Sequence, residues 1–163
     1  MKLFKFAVAA GAAVVAAGVL DASAQTVGPD FVKQRVEFMR SMFPSIQAFR
    51  KYASGEDTNA AVVVEQATRL ASVAGDINKW FPPGTDRDSL AGSRTKPEVW
   101  SKKADFDAAV GKLVEESKKL ASLSGAGNAD AIKAQITVVT TACGGCHGGP
   151  AATGGTFRFE KPQ

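Results

Sequence analysis

Both cysteines and the single histidine of this chain fall in one run, Cys143-Gly144-Gly145-Cys146-His147, near the end of its 163 residues. That inventory cannot build a chain-spanning disulfide framework, a multi-histidine metal site, or a catalytic triad beside a separate histidine site. Whatever covalent or metal chemistry the protein performs is confined to one spot, and the fold must bring everything else to it. On a helix, the two thiols and the imidazole lie at i, i+3 and i+4 and share a face. The pattern is that of covalent haem attachment. Each thiol adds to a vinyl group as a thioether, and the adjacent histidine becomes an axial ligand of the iron. The two glycines between the thiols let the ring approach the backbone. The alternatives fit less well. A thiol–disulfide redox pair normally opens a helix after a strand. A zinc site needs further Cys or His ligands, and a disulfide across two intervening residues closes almost no loop.

Four stretches carry a 3.6-residue apolar period, and none carries a convincing two-residue alternation. The first covers residues 29–53, with Phe31, Arg35, Phe38, Met42, Ile46 and Phe49 on one stripe. Pro44 lies inside it and predicts a kink or break between Met42 and Ser45. The second covers residues 59–80 (Val63, Ala67, Leu70, Ala74, Ile77), with Asp57 or Thr58 as its expected N-cap. The third covers 101–123 (Phe106, Val110, Leu113, Leu120), and the fourth starts near Asn128 with Ile132, Ile136, Val139 and Cys143 in register. Two links are short and rich in Gly and Ser; the third, residues 81–97, is long and rich in Pro, Gly, Ser, Asp and Arg. Long loops in compact domains often carry function. The pattern predicts an all-α, antiparallel four-helix bundle. From about Gly148 the tail is glycine-rich and cannot continue the last helix.

Residues 1–24 read as targeting rather than fold. Lys2 and Lys5 precede an apolar run from Phe6 to Leu20, and Ala22-Ser23-Ala24 supplies a small-x-small cleavage site. The run is shorter than the roughly 20 residues that span hydrocarbon. The mature chain, 25–163, is thus expected to be a single soluble domain, exported to the periplasm and free of the membrane. Loss of Lys2, Lys5 and Asp21 lowers the formal charge of +4 by one. That is too small and too scattered a charge to argue for nucleic acid.

A CxxCH motif near the C-terminus, closing the last helix of a four-helix bundle, resembles the class II c-type cytochromes: cytochrome c-prime and its low-spin relatives. Two further segments are similar to that family. In Arg35-Val36-Glu37-Phe38-Met39, an arginine precedes by four residues the side chain over the distal haem face. Phe81-Pro82-Pro83-Gly84-Thr85 with Pro97-Glu98-Val99-Trp100 looks like the interhelical loop and the start of the third helix. Family members follow the haem histidine closely with an aromatic-basic pair. Here Gly148 to Gly155 intervene before Phe157-Arg158, as if residues had been inserted. The resemblance implies one haem c per chain, bound by Cys143, Cys146 and His147, and makes homodimerisation through the first two helices plausible. Val32, Val36 and Phe43 lie off the main inward stripe, as such an interface requires, although core packing explains them nearly as well.

His147 fills one axial position only, and the remaining strong candidates are Met39 and Met42. Met39 stands where the resemblance places the distal residue; Met42 lies deeper in the apolar stripe and reads as core. Histidine–thioether ligation gives low-spin iron suited to one-electron transfer with periplasmic redox partners, and this is the leading expectation, with metal ligands His147 and Met39. The alternative is a five-coordinate cytochrome c-prime, with Met39 as a lid, that binds NO or CO. An enzyme is not expected, because the first helix offers no distal acid/base group. Arg35, on an inward stripe where a lone guanidinium is costly, is expected to pair with a haem propionate. Arg94, Thr95 and Lys96 are weaker candidates for that role. Trp80, Phe81 and Trp100 read equally as core and as haem walls.

Overall fold

The 3.6-residue periods fold into helices close to the expected ranges, and the differences have local causes. In the computed structural model, residues 27–148 and 154–159 are described; the expected signal, residues 1–24, lies outside them. The first period is divided into α1, Pro29–Arg40, and α2, Phe43–Ser54. Pro44 has no N–H, and its ring collides with a helical carbonyl four residues back, that of Arg40. The chain therefore leaves the helix after Arg40 and turns through Ser41 and Met42, where the Ser41 hydroxyl donates to the Phe38 carbonyl at 2.7 Å. It restarts with Pro44 in the first turn of α2, where no N–H is needed.

α3 spans Ala60–Gly75. Asn59, rather than Asp57 or Thr58, is its cap, accepting from the Ala61 N–H at 3.0 Å. The second period then tightens into a 3₁₀ turn, Ile77–Trp80, which buries Ile77. After the long connection, a single turn α4, Glu98–Ser101, precedes α5, Lys103–Gly125. α6 spans Ala129–His147, capped by the Asn128 side chain on the Ala131 N–H at 3.1 Å. The motif read from the sequence thus occupies its last turn.

α3 packs along α5, α5 along α6, and α2 closes the ring against α3 and α6. Phe49, Val63, Leu70, Leu120, Ile132 and Val139 are sealed at the centre. This is the predicted bundle: each short Gly-containing link forces antiparallel neighbours, and each apolar stripe finds its partner. Among the described residues, no helix is long and apolar enough to cross a membrane.

Candidate functional site: a dithiol–imidazole helix end and its strap

Cys143, Cys146 and His147 are half-buried on α6. Both cysteines are free thiols and lie against the core, as do Phe38, Met39, Met42, Ile46, Phe81 and Trp100. Burial raises the pKa of Cys143, and raises that of Cys146 to about 11, with Cys143 adding to the effect. His147 is pushed the other way, to about 4, first by burial and then by the positive charges of Arg158 and Arg94. The imidazole is therefore neutral at pH 7 and keeps a lone pair to give. Two protonated thiols and one neutral imidazole on a single helical face, against an apolar core, form a donor set that fits haem c. Among the described residues, no cluster of three or more His, Cys, Asp or Glu offers a competing metal site.

α6 stops at His147 because Gly148 leaves the helix with φ 84° and ψ 176°, a conformation open to glycine. The chain comes back at residue 154 with its backbone laid on the helix end. A Cβ at Gly148 would strike the Gly154 carbonyl, and one at Gly155 would strike the Cys146 carbonyl and the Gly148 nitrogen, far inside contact distance. The returning segment is held on both sides. The Phe157 N–H reaches the Cys146 carbonyl at 3.4 Å. The Lys96 N–H donates to the Phe157 carbonyl at 3.0 Å, and the Phe159 N–H to the Arg94 carbonyl at 2.8 Å. Thr95 and Arg158 thereby form an isolated antiparallel bridge. Phe157 is buried, edge-on to Phe106 at 5.2 Å. The intervening glycine-rich stretch therefore does not keep the aromatic-basic pair away. Arg158 Nη1 lies 3.1 Å from His147 Nδ1. A guanidinium only donates, so in this haem-free arrangement Nδ1 accepts and the ring proton sits on Nε2; iron taken by Nε2 would move that proton to Nδ1 and leave Arg158 beside the ring as a neighbouring charge.

Arg94, Thr95 and Lys96 are engaged by this strap. Arg94 Nη2 donates to the Phe159 carbonyl at 2.9 Å, Lys96 Nζ to the Gly155 carbonyl at 2.8 Å, and Arg87 and Lys96 lie over the Phe159 ring. Arg35 is only 4% exposed and points into the same long loop. Nη1 donates to Thr85 Oγ1 at 3.0 Å and more distantly to the Trp80 carbonyl; Nη2 donates to the Thr85 carbonyl and to Ser93 Oγ, each at 3.0 Å. Phe31 and Phe81 flank its guanidinium. No described carboxylate pairs with it, and burial lowers its pKa to about 10. The sequence reading had placed Arg35 correctly on the inward stripe. It missed Thr85 and Ser93, whose only signal was a pair of hydroxyls in a loop that Pro and Gly otherwise dominate.

Met39 is half-buried against the core that also receives both cysteines; Met42 belongs to the same packing. Trp80 stacks on Phe38 at 5.1 Å, and the indole N–H of Trp100 donates to the Phe81 carbonyl at 3.0 Å, so both are walls of the region with no chemistry of their own.

Comparisons with known proteins converge on one group. Residues 30–149 match the family described as Cytochrome C′. A cytochrome c′ of Rubrivivax gelatinosus is 31% identical over 117 residues, covering 69% of this chain and 89% of that protein. Cytochrome c-556 of Rhodopseudomonas palustris is 27% identical over 147 residues, or 82% of this chain and 92% of its own. Among solved structures, Rubrivivax gelatinosus cytochrome c′ superposes with a TM-score of 0.64 at 27% identity, covering 80% and 95% of the two chains. Cytochrome c prime of Alcaligenes xylosoxidans, solved with bound NO, shares the fold with a TM-score of 0.67 at 23% identity, covering 83% and 98%.

Proposed function

This chain belongs to the cytochrome c-prime family, whose members carry covalently attached haem c, and from that premise we propose that it is a binder of small diatomic gases, NO or CO, in the periplasm. A bound haem supplies an iron that takes up one electron or one diatomic ligand. Cys143 and Cys146 would hold the macrocycle to the last turn of α6, and His147 would be its one strong axial ligand. Arg158, 3.1 Å from Nδ1 in the unligated chain, would stand beside the ring as a neighbouring positive charge. Phe38 and Met39, which pack from α1 on the same core as the cysteines, would offer the group apolar surface that admits an uncharged diatomic and disfavours anions. Arg35 would supply a buried positive charge that no described carboxylate balances and that a propionate would. Membership of the c-prime group reverses the order of the two readings drawn from the sequence, in which histidine–methionine electron transfer came first.

What supports this reading is that the chain has a single imidazole, that Phe38 and Met39 of α1 pack against the same core as the two cysteines, and that residues 30–149 match the cytochrome c-prime family. Its test is optical. The haem-loaded protein is expected to be high-spin when ferric and to change its spectrum promptly when CO is added to the reduced form, with Met39→Ala accelerating uptake. A second reading has its own support, since Met39 packs on the same core as the two cysteines. A low-spin ferric spectrum that turns high-spin in Met39→Ala, together with indifference to CO, would replace gas binding with one-electron transfer between periplasmic partners. Export rests on residues 1–24 of the sequence. Self-association rests on Val36 and Phe43, 41% and 52% exposed on α1 and α2. No catalytic role is part of the proposal.

A further inference from the structure

The long loop holds α1 with one side chain and the proximal strap with its neighbour. Ser93 is 4% exposed and its hydroxyl is fully used. Ser93 Oγ accepts from Arg35 Nη2 at 3.0 Å and from the Thr95 N–H at 3.2 Å, and donates to the Thr85 carbonyl at 2.7 Å. The Thr95 carbonyl in turn accepts from the Arg87 N–H at 2.9 Å. Thr95 is bridged to Arg158, whose two chain neighbours are bonded to residues 94 and 96, and Arg158 reaches His147. Four contacts, Arg35–Ser93, Ser93–Thr95, Thr95–Arg158 and Arg158–His147, thus run without a gap from the helix bearing Met39 to His147, and none passes through a haem.

We infer that Ser93 is a positioning residue that couples the distal helix α1 to the orientation of His147, by fixing Arg35 and the Thr95–Arg158 bridge with a single hydroxyl. The physical reason is saturation. A buried hydroxyl with both lone pairs and its proton committed cannot shift toward one partner without loosening another. A displacement of α1, such as a ligand crowding Met39 would impose, pulls on Arg35 and is passed to the segment that aims Arg158. Coupling of this kind is reciprocal, so a change at the strap is also felt on α1. The inference rests on the proposed assignment of His147 as the axial ligand, and the experiment keeps the two separable.

The chain has one histidine, so selective ¹⁵N labelling of histidine gives one pair of ring-nitrogen signals in the reduced, CO-saturated holoprotein, which is diamagnetic. With Nε2 on the iron, Nδ1 carries the ring proton, and Arg158→Lys displaces the Nδ1 signal by moving the charge beside it. Ser93→Ala is expected to displace it in the same sense, Ser93→Thr to leave it near its wild-type position, and Ser93→Ala with Arg158→Lys to move it no further than Arg158→Lys alone. An unmoved Nδ1 signal in Ser93→Ala, or displacements that simply add in the double variant, overturns the coupling. Should Ser93→Ala not accumulate, Arg35→Lys perturbs the other end of the same chain of contacts and is read against the same criteria. The Nε2 signal reports separately on iron ligation. If it lacks the signature of a metal-bound nitrogen, the ligand assignment fails, while the Nδ1 comparison still decides the coupling.

Discussion

Arg158 Nη1 stands 3.1 Å from Nδ1 of His147 across eleven positions of sequence, and the residues that bring it there belong to three separate pieces of the chain. In the unligated chain, removing this donor leaves Nδ1 without a partner; in the haem-loaded protein it takes away the charge beside the ring. Because the guanidinium is only partly buried and its charge faces a neutral ring, Arg158→Ala is expected to lower stability only modestly, by about 1 kcal/mol. The larger effect falls on the iron–histidine stretching band in resonance Raman spectra of the reduced protein. An unchanged band would show that the contact does not govern the imidazole.

In the haem-free chain, the form in which this is to be measured, the imidazole also sets a pH dependence. Burial and the charges of Arg158 and Arg94 hold His147 at about 4 in the folded chain, against 6.5 for an ordinary histidine. Between those values the unfolded chain binds a proton that the folded one refuses, so stability rises with pH. This contribution is intact above about pH 6.5 and is lost as the pH falls toward 4, by an amount on the order of 3 kcal/mol. Denaturant unfolding at neutral pH and at about pH 4.5 measures it. Arg158→Ala, which removes one of the opposing charges, is expected to flatten the slope.

Much of this architecture could be read in advance, and the pattern of success has a physical basis. The stripe Val63, Ala67, Leu70, Ala74, Ile77 is wholly buried, as its period requires, because helical apolar spacing is a local property that tertiary packing only confirms. Pro44 announced the break between α1 and α2 for the same reason. The thiols and imidazole were legible because their chemistry is written into adjacent residues. Ser93, Thr85 and the return of Arg158 were not, since each acts across tens of residues through loop backbone that has no period to detect. Gly148 and Gly155 read as mere looseness in the sequence. In the fold they are the tightest backbone contact around the site.

That tightness makes a sharp expectation. Gly155→Ala places a methyl on the Cys146 carbonyl and the Gly148 nitrogen, and neither can retreat without disturbing the last turn of α6. A loss of about 2 kcal/mol or more is expected, with the proximal iron–histidine band broadened or shifted. Gly111→Ala, on an open face of α5, is the control and is expected to be neutral or slightly stabilising.

Arg35 can be tested apart from haem ligation. Arg35→Met keeps bulk between Phe31 and Phe81 but strands the oxygens of Thr85 and Ser93. A loss of about 2–4 kcal/mol is expected, seen as a lower denaturant midpoint with the slope unchanged. Arg35→Lys should recover part of it. A Met variant as stable as wild type would show that the loop holds itself.

The exposed ring of Phe43 and the neighbouring Val36 provide the last test. If two copies meet on the faces of α1 and α2, Phe43→Asp converts a dimer into a monomer at micromolar concentration by sedimentation equilibrium, with the CO spectrum unaffected. A wild-type protein that is already monomeric there excludes this surface as a self-association face.

The closure between Gly148 and Gly155 has a practical corollary for protein engineering. Because the chain leaves and rejoins the helix end at two abutting glycines, the span between them can be treated as a replaceable cassette. Its length and composition are open to redesign, provided the two anchor points stay bare of side chains. A sensor sequence or an affinity handle could be grafted there, next to His147, without cutting the bundle.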